Sequence, residues 1–512
     1  MIKTSKRIGS LVLRLNRTYS STCSDLTLPN GMSYKQPTGL FINNKFIVSG
    51  HTLITYYPAT GKPITSVYSA DSDDVNTAVL AARSAFETTW CALSGTERGI
   101  LLGNLSRLIQ KHQNLLGCIE SWDTGKPVKA AIQEDIEECV NVSRYYAGWA
   151  DKLHGETIQP FQNKLAYTLR EPLGVCGLIV PWNYPLMLAI WKLAPALATG
   201  NTVVIKSSEL SPLSALYLGN LITEAGFPPG TVNIISGDQA TGAALVRHSG
   251  LNKISFTGSI ATGKKIMKLA ANNLTPVTLE LGGKSAALVF ADANLEQAVK
   301  WCHLGIMSNM GQICTATSRI LVHESVADKF ISLMRDTVVK LSKIMSPFAN
   351  DAFHGPQISA SQLAKVAQFV DSGIEEGARL VCGGKVVEGH GHYYEPTIFS
   401  GVKDNMKISS EEIFGPVVTI DSFASTDEAV TRANNSVYGL GSAVFTNSIS
   451  LAHDAARKLQ AGMVWINSSN DSDFRVPFGG YKQSGFGREL GEHALSSYTQ
   501  TKAVHLNMGT TL

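Results

Sequence analysis

GVCGLIVPWNYPLMLAIWKLAPALATGNTVVIKSSE, residues 174–209, reads as strand, helix, strand. The run 174–180 is short and nearly continuously apolar, and so is TVVIK at 202–206. Between them, 185–198 carries apolar residues at helical spacing, with Pro185 suited to a first helical turn. The alternation continues downstream: a helix over 211–224, the strands TVNIISG and KISFTG, and a helix over 263–271. Short β-branched runs between amphipathic helices predict a parallel sheet covered on both faces, which is an α/β fold. Such doubly wound sheets bind ligands at the carboxyl ends of their strands. Asn183, Lys206 and Thr257-Gly258 all fall at such ends.

Outward from this core, 72–155 is helical text. A second alternating series runs over 283–482, with SAALVF, RILVH, VVTIDSF and GMVWIN as strands. Two segments stand apart. KLAYTLREP (164–172) and SSYTQTKAVHLNM (496–508) alternate like exposed antiparallel strands, and such edges invite pairing with another chain.

Several blocks carry chemistry. LELGGK places Glu280 ahead of Gly282 and Gly283, and GQICTATSR places Cys314 beyond Gly311. A thiol nucleophile with a carboxylate able to activate water suggests covalent catalysis through a thioester, although a lone Cys also serves as a small core hydrophobe. Asn183, directly after a buried strand, could donate its amide to an oxyanion, with the Cys314 N–H as the second donor; a helix cap is the alternative. Lys206 and Glu209 in KSSE could grip a ribose, the acid disfavouring a 2′-phosphate, while Ser-x-x-Glu capping is the competing reading. FTGSIATGKK offers backbone N–H groups from Gly258 onward to a phosphate. It nearly spells a P-loop, but Lys265 stands where magnesium needs Ser or Thr. In EEIFGPV, Glu412 could hold a second ribose and Phe414 could pack beside a flat ring, or the acids simply face solvent.

The chain has 512 residues, enough for two or three units, and is 44% hydrophobic and 17% charged. A net charge of +3 gives no case for nucleic acid, and no apolar run reaches the ~20 residues that span a bilayer. Lys3, Lys6, Arg7, Arg14 and Arg17 precede the first acid, Asp25. Apolar residues at helical spacing sit among them, and Ser and Thr follow. This is the pattern of a mitochondrial transit peptide over residues 1–19, cut near Arg17, and it predicts the mitochondrial matrix; a basic tail is the alternative. The eight cysteines are scattered without metal-ligand spacing, so no metal is expected.

Taken together, PWNYP, KxxE, FTGSxxxG, ELGGK, GQxCT, EEIFGPV and PFGGYKQSGFGRELG appear in one order from about residue 38 to 505. The chain resembles the NAD(P)-dependent aldehyde dehydrogenase superfamily, within it the mitochondrial, betaine-aldehyde and aminoaldehyde enzymes. The resemblance implies a Rossmann-like cofactor domain (30–150 and 172–282), an α/β catalytic domain (283–482) and an antiparallel oligomerisation flap (151–171 and 490–508). It also implies NAD as cofactor, a small-molecule aldehyde as substrate, and a homodimer or homotetramer. Carried over residue by residue, Cys314 is the nucleophile, Glu280 the base and Asn183 the oxyanion donor. Lys206 and Glu209 match adenosine-ribose ligands, Gly258 and Ser259 lie by the pyrophosphate, and Trp182, Glu412 and Phe414 complete the cofactor cleft. Lys192 matches a lysine near the thiol, expected to lower its pKa. Ser207 departs from the family's usual Pro.

For the substrate, Tyr184 and Trp191 match two members of the aromatic cage that betaine-aldehyde and aminoaldehyde enzymes place around an ammonium group. Ser308 and Phe478 do not match the tryptophans of some of them. Asp135 and Glu138 resemble an acidic pair at the entrance of aminoaldehyde enzymes, and Asp471 and Asp473 add charge nearby. These features point to a 4-trimethylaminobutyraldehyde-type substrate, with a general aliphatic aldehyde as the alternative. Two other classes stay open. A cysteine hydrolase needs a His at the thiol, for which only His303 and His323 flank the nucleophile; a non-catalytic scaffold would keep the fold alone.

Overall fold

The computed structural model describes residues 21–389 and 391–509, so the basic leader read over 1–19 lies outside the described residues. An eight-stranded sheet forms the first layer, in the order 485–486, 277–280, 253–257, 175–179, 202–207, 232–236, 40–42, 45–47. Its five central strands are parallel, in register from Ile254↔Val277 across to Val203↔Val232. Successive side chains point to opposite faces, and each face has its own core. Cys176, Leu178, Val203 and Ile205 pack under the helices Pro185–Ala198 and Leu213–Ala225. Val175, Ile179, Val204 and Ile254 pack under Ser72–Ala85 and Ile260–Ala270. The α/β architecture expected from the alternating text is therefore the one found.

Two helix boundaries differ from the sequence expectation. The helix expected at 211 starts at Leu213, after Pro212. The helix expected at 263 starts at Ile260, because the Ser259 hydroxyl accepts the Thr262 N–H and caps it. Residues 128–149 are helical but interrupted by a π segment, Ala131–Ile136.

A second layer holds seven strands in the order 379–382, 397–400, 417–423, 319–323, 286–289, 441–445, 463–466. All neighbours run parallel except the 379–382 edge. The chain leaves the first sheet after Glu280 and returns at Gly485–Phe486, antiparallel to Val277–Glu280. Glu280 thus sits where the two layers join. The two segments read as edge strands form a separate three-stranded antiparallel sheet, 499–507 beside 164–172 beside 157–161. No helix among the described residues is long and apolar enough to cross a membrane.

Candidate active site

In the first sheet the chain builds outward from 175–179 to one side and then returns to its other flank at 253–257. A crevice opens beyond the carboxyl ends at such a reversal. Pro181–Tyr184 leaves the first of these strands and Thr257–Ser259 leaves the second. A cavity of about 620 Å³ is lined by Trp182, Asn183, Tyr184, Gly258 and Ser259 from this side, and by Ser308, Cys314, Glu412, Phe414 and Phe478 from the facing layer. Trp191 closes one wall, edge-on to Phe478 with ring centroids 5.1 Å apart.

The loop that delivers the thiol is held in an uncommon shape. Asn309, Met310 and Gly311 have φ of 46°, 55° and 72°, three left-handed residues in succession. For the two non-glycines this costs roughly 1–2 kcal/mol each, so neighbours must enforce it. Gln312 N–H donates to the Asn309 carbonyl at 3.0 Å, and Gln357 Nε2 to the Met310 carbonyl at 3.3 Å. A Cβ on Gly311 would collide with the Gly415 carbonyl, so only glycine fits there. The turn leaves Cys314 half-buried on the cavity wall. Burial, with Glu412 and Glu280 adding negative charge, pushes its thiol up to about 12.

Asn183 is 5% exposed, and its Nδ2 donates to the Gln312 carbonyl at 2.9 Å. One amide hydrogen is used there and the second remains for a ligand. The ELGGK turn meets the nucleophile loop directly: a Cβ on Gly283 would strike the Cys314 carbonyl. Glu280 is 2% exposed, with both carboxylate oxygens buried and without a hydrogen-bond partner. Burial, then Glu489, raise its pKa well above the carboxylate range, against Lys192 and Arg488. Its charge is felt at the Cys314 thiol, but its side chain lies behind the cavity wall rather than on it.

The Lys192 expectation is corrected. Its ammonium is ion-paired with buried Glu489 and donates to Thr257 Oγ1 at 2.7 Å. Glu489 satisfies the charge, so Lys192 does not face the thiol; it is among the groups acting on Glu280 instead. Glu489 is a residue that sequence reasoning passed over, although GRELG was in view. Asn309 is another.

Lys206 and Glu209 end the next strand, paired at 3.3 Å, with Lys206 buried and Glu209 39% exposed. They lie outside the lining of the 620 Å³ cavity. Ser207, in place of proline, stays in the strand and shares a hydrogen bond with Ser236 Oγ at 3.0 Å. The first-turn N–H groups of Ile260–Ala270 open beside Gly258 and Ser259. At the far end Glu412 Oε1 accepts the Gly283 N–H at 2.8 Å, and Phe414 stands edge-on to Trp182 at 5.2 Å. A half-open cation–carboxylate pair, a helix N-terminus and a half-buried acid beside aromatic rings fit the ribose, pyrophosphate and ring of a dinucleotide.

In the substrate half, Asp135 belongs to the cavity lining but presents no free charge there. It is fully buried and ion-paired with buried Lys126, whose Nζ lies 3.5 Å from the Tyr184 ring centroid. Burying an acid requires a partner, and the lysine supplies it. Asp473 is held by Arg475 at 2.6 Å, and Asp471 is exposed. Glu138 lines the cavity as well, and burial raises its pKa to about 7. His303 is buried against Ser342 and Phe353, and His323 bonds Ser325; among the described residues no imidazole lines the cavity. Among the described residues no group of three or more His, Cys, Asp or Glu could hold a metal ion.

Residues 47–504 match the family model described as the aldehyde dehydrogenase family. An aldehyde dehydrogenase of Aspergillus niger is 45% identical over 497 residues, covering 96% of this chain and 100% of its own. Aldehyde dehydrogenase family 2 member B4, mitochondrial, of Arabidopsis thaliana is 46% identical over 499 residues, 96% of this chain and 92% of its own. The NAD+ complex of an aldehyde dehydrogenase from Bacillus cereus superposes with a TM-score of 0.91 at 44% identity, covering 92% of this chain and 97% of that one.

Proposed function

This chain belongs to the aldehyde dehydrogenase family, and we propose that Cys314, Asn183 and Glu280 carry its reaction. It is an aldehyde dehydrogenase that uses NAD. The Cys314 thiol gives up its proton to water and the sulfur attacks the aldehyde carbon, forming a C–S bond as the carbonyl π pair moves onto oxygen, whose charge lies between the Asn183 amide and the Cys314 N–H. Bound NAD+ supplies the acceptor for the hydride leaving that carbon, so that a thioester remains on Cys314. Glu280 then removes a proton from water, which adds to the thioester and releases the acid and the thiol. Burial and the neighbouring Glu489 raise the pKa of Glu280, which makes its carboxylate a stronger proton acceptor than a free one. Lys206, Glu209, Gly258, Ser259, Glu412, Phe414 and Trp182 bind and orient the dinucleotide. The observation carrying this reading is that Asn183 Nδ2 reaches the Gln312 carbonyl, two residues before the sulfur, on the wall of one cavity.

The finer substrate reading is an amino- or quaternary-ammonium aldehyde such as 4-trimethylaminobutyraldehyde. Tyr184, Trp191 and Phe478 supply aromatic walls, and Glu134, Glu137 and Glu138 line the mouth. A general aliphatic aldehyde is the second reading, favoured by the spending of Asp135 and of one Tyr184 face on Lys126. NADH absorbance across acetaldehyde, betaine aldehyde and 4-trimethylaminobutyraldehyde decides between them. The first reading expects the highest kcat/KM for the long cation; a higher value for acetaldehyde establishes the second, and no NADH from any aldehyde removes both. The basic leader supports import into the mitochondrial matrix, and the 157–172 and 499–507 strands support assembly as a homodimer or homotetramer. We assign 30–150 with 172–282 to cofactor binding and 283–482 to the catalytic layer.

A further inference from the structure

Two side-chain amides converge on one carbonyl beside the thiol, and one of them has no part in the proposed chemistry. Asn309 is 8% exposed. Its Nδ2 donates to the Asn183 carbonyl at 3.3 Å and to the Gln312 carbonyl at 3.2 Å. The Gln312 carbonyl also receives the Asn183 Nδ2 at 2.9 Å. We infer that Asn309 is the positioning residue of the oxyanion site, its amide tying the Asn183 turn to the loop that carries Cys314. The inference rests on the roles proposed above for Asn183 and Cys314.

Asn183 arrives from the first sheet, whereas Gln312 and Cys314 arrive from the helix and turn that follow Leu295–Met307 in the second layer. A donor that must meet an oxygen bonded to a carbon on sulfur needs those two segments in fixed relation. Asn309 grips the backbone of the first and the backbone of the second with one NH2 group, which has a hydrogen for each. It holds the Asn183 main chain, while the Asn183 side chain spends one hydrogen on the Gln312 carbonyl and has the second for substrate. Asn309 also adopts φ of 46°, a conformation that Asn tolerates better than most side chains. Tolerance of that backbone is the competing explanation for asparagine here, and the two explanations separate cleanly. Asn309→Gly keeps the backbone without strain and deletes the clamp. Asn309→Asp keeps the shape and turns a donor toward two carbonyls into an acceptor.

The test compares two reactions of the same thiol in the full-length protein. Acylation by p-nitrophenyl acetate, followed as p-nitrophenolate release, passes through an oxyanion; alkylation by iodoacetamide does not. Asn309→Gly is expected to lower the ratio of acylation to alkylation rate about tenfold or more, approaching what loss of one donor costs. Asn309→Asp is expected to lower it at least as far. Asn183→Ala lowers the same ratio, and adding Asn309→Gly to it changes the ratio less than twofold, because both act through one amide. A ratio unchanged in Asn309→Gly overturns the inference and leaves the asparagine as a backbone choice. Full multiplication of the two effects in the double variant also overturns it. If Asn183→Ala itself leaves the ratio at the wild-type value, the assignment of Asn183 falls, and the inference with it.

Discussion

Cys314 is a reluctant thiolate in its own surroundings. Burial, Glu412 and Glu280 all favour the protonated thiol, which is pushed up to about 12. Alkylation of the unliganded protein by iodoacetamide should therefore keep rising past pH 9, where a free cysteine of pKa ≈ 8.5 levels off. Glu412→Gln removes a negative charge beside the sulfur and should shift that rise to lower pH; a plateau near pH 8.5, unmoved by the substitution, contradicts the assignment of causes. Glu209 offers a second residue-scale test. A carboxylate at the ribose site repels a 2′-phosphate, so Glu209→Gln should raise the ratio of NADP to NAD kcat/KM several-fold, and an unchanged ratio places the ribose elsewhere. That Cys314 and Asn183 share one cavity wall, with Glu280 buried close by, was legible because each sits in a short block marked by glycines or by a flanking strand. Lys192 was misread for the opposite reason. Its partner Glu489 lies 297 residues away, and no local pattern connects them. Asn309 escaped notice because left-handed backbone at an asparagine leaves no mark in the letters around it.

At the scale of elements, the segments read best were those whose signals agreed. Pro185–Ala198 matches its expected bounds because proline fixes its first turn and the apolar run beyond is unbroken. Lys164–Pro172 matches as well, since period-two alternation admits one register. The start of Ile260–Ala270 was missed by a turn because Ser259 caps earlier than Gly263 suggested, and the π segment 131–136 has no sequence signature. Two buried histidines add a prediction for the segments behind the nucleophile loop. His303, in Leu295–Met307, and His354 are both pushed down to about 4 by burial. Each binds a proton more readily when unfolded, so its stabilising contribution is complete above pH 6.5 and is lost as pH falls toward 4. Raised carboxyls such as Glu120 and Asp123 act in the opposite sense, so the comparison must be with a variant. Between pH 6.5 and 4 the wild type should lose stability relative to His354→Gln, on the order of 1–3 kcal/mol by denaturant unfolding. A difference that does not vary with pH contradicts the buried neutral imidazole.

For the molecule as a whole, the three-stranded sheet has no evident purpose within one subunit. Its strands expose Ile158, Phe161, Tyr167, Leu169 and Leu506. An apolar edge of this kind is stable only when covered. Light scattering on a sizing column should give twice the 55.0 kDa chain mass or more. Leu169→Glu with Leu506→Glu should lower that mass, whereas a wild-type monomer would leave the sheet unexplained. The sequence exposed the edge but not what covers it, because a surface pattern records the need for a partner and not its identity. The central claim, a thioester on Cys314 hydrolysed by water that Glu280 activates, is tested most directly by mixing Glu280→Gln with NAD and propanal in a stopped-flow spectrometer and then recording the intact mass. The predicted result is a rapid burst of about one NADH per chain, slow turnover afterwards, and a propionyl group on Cys314. Steady turnover at the wild-type rate, or a burst that leaves Cys314 unmodified, would contradict it.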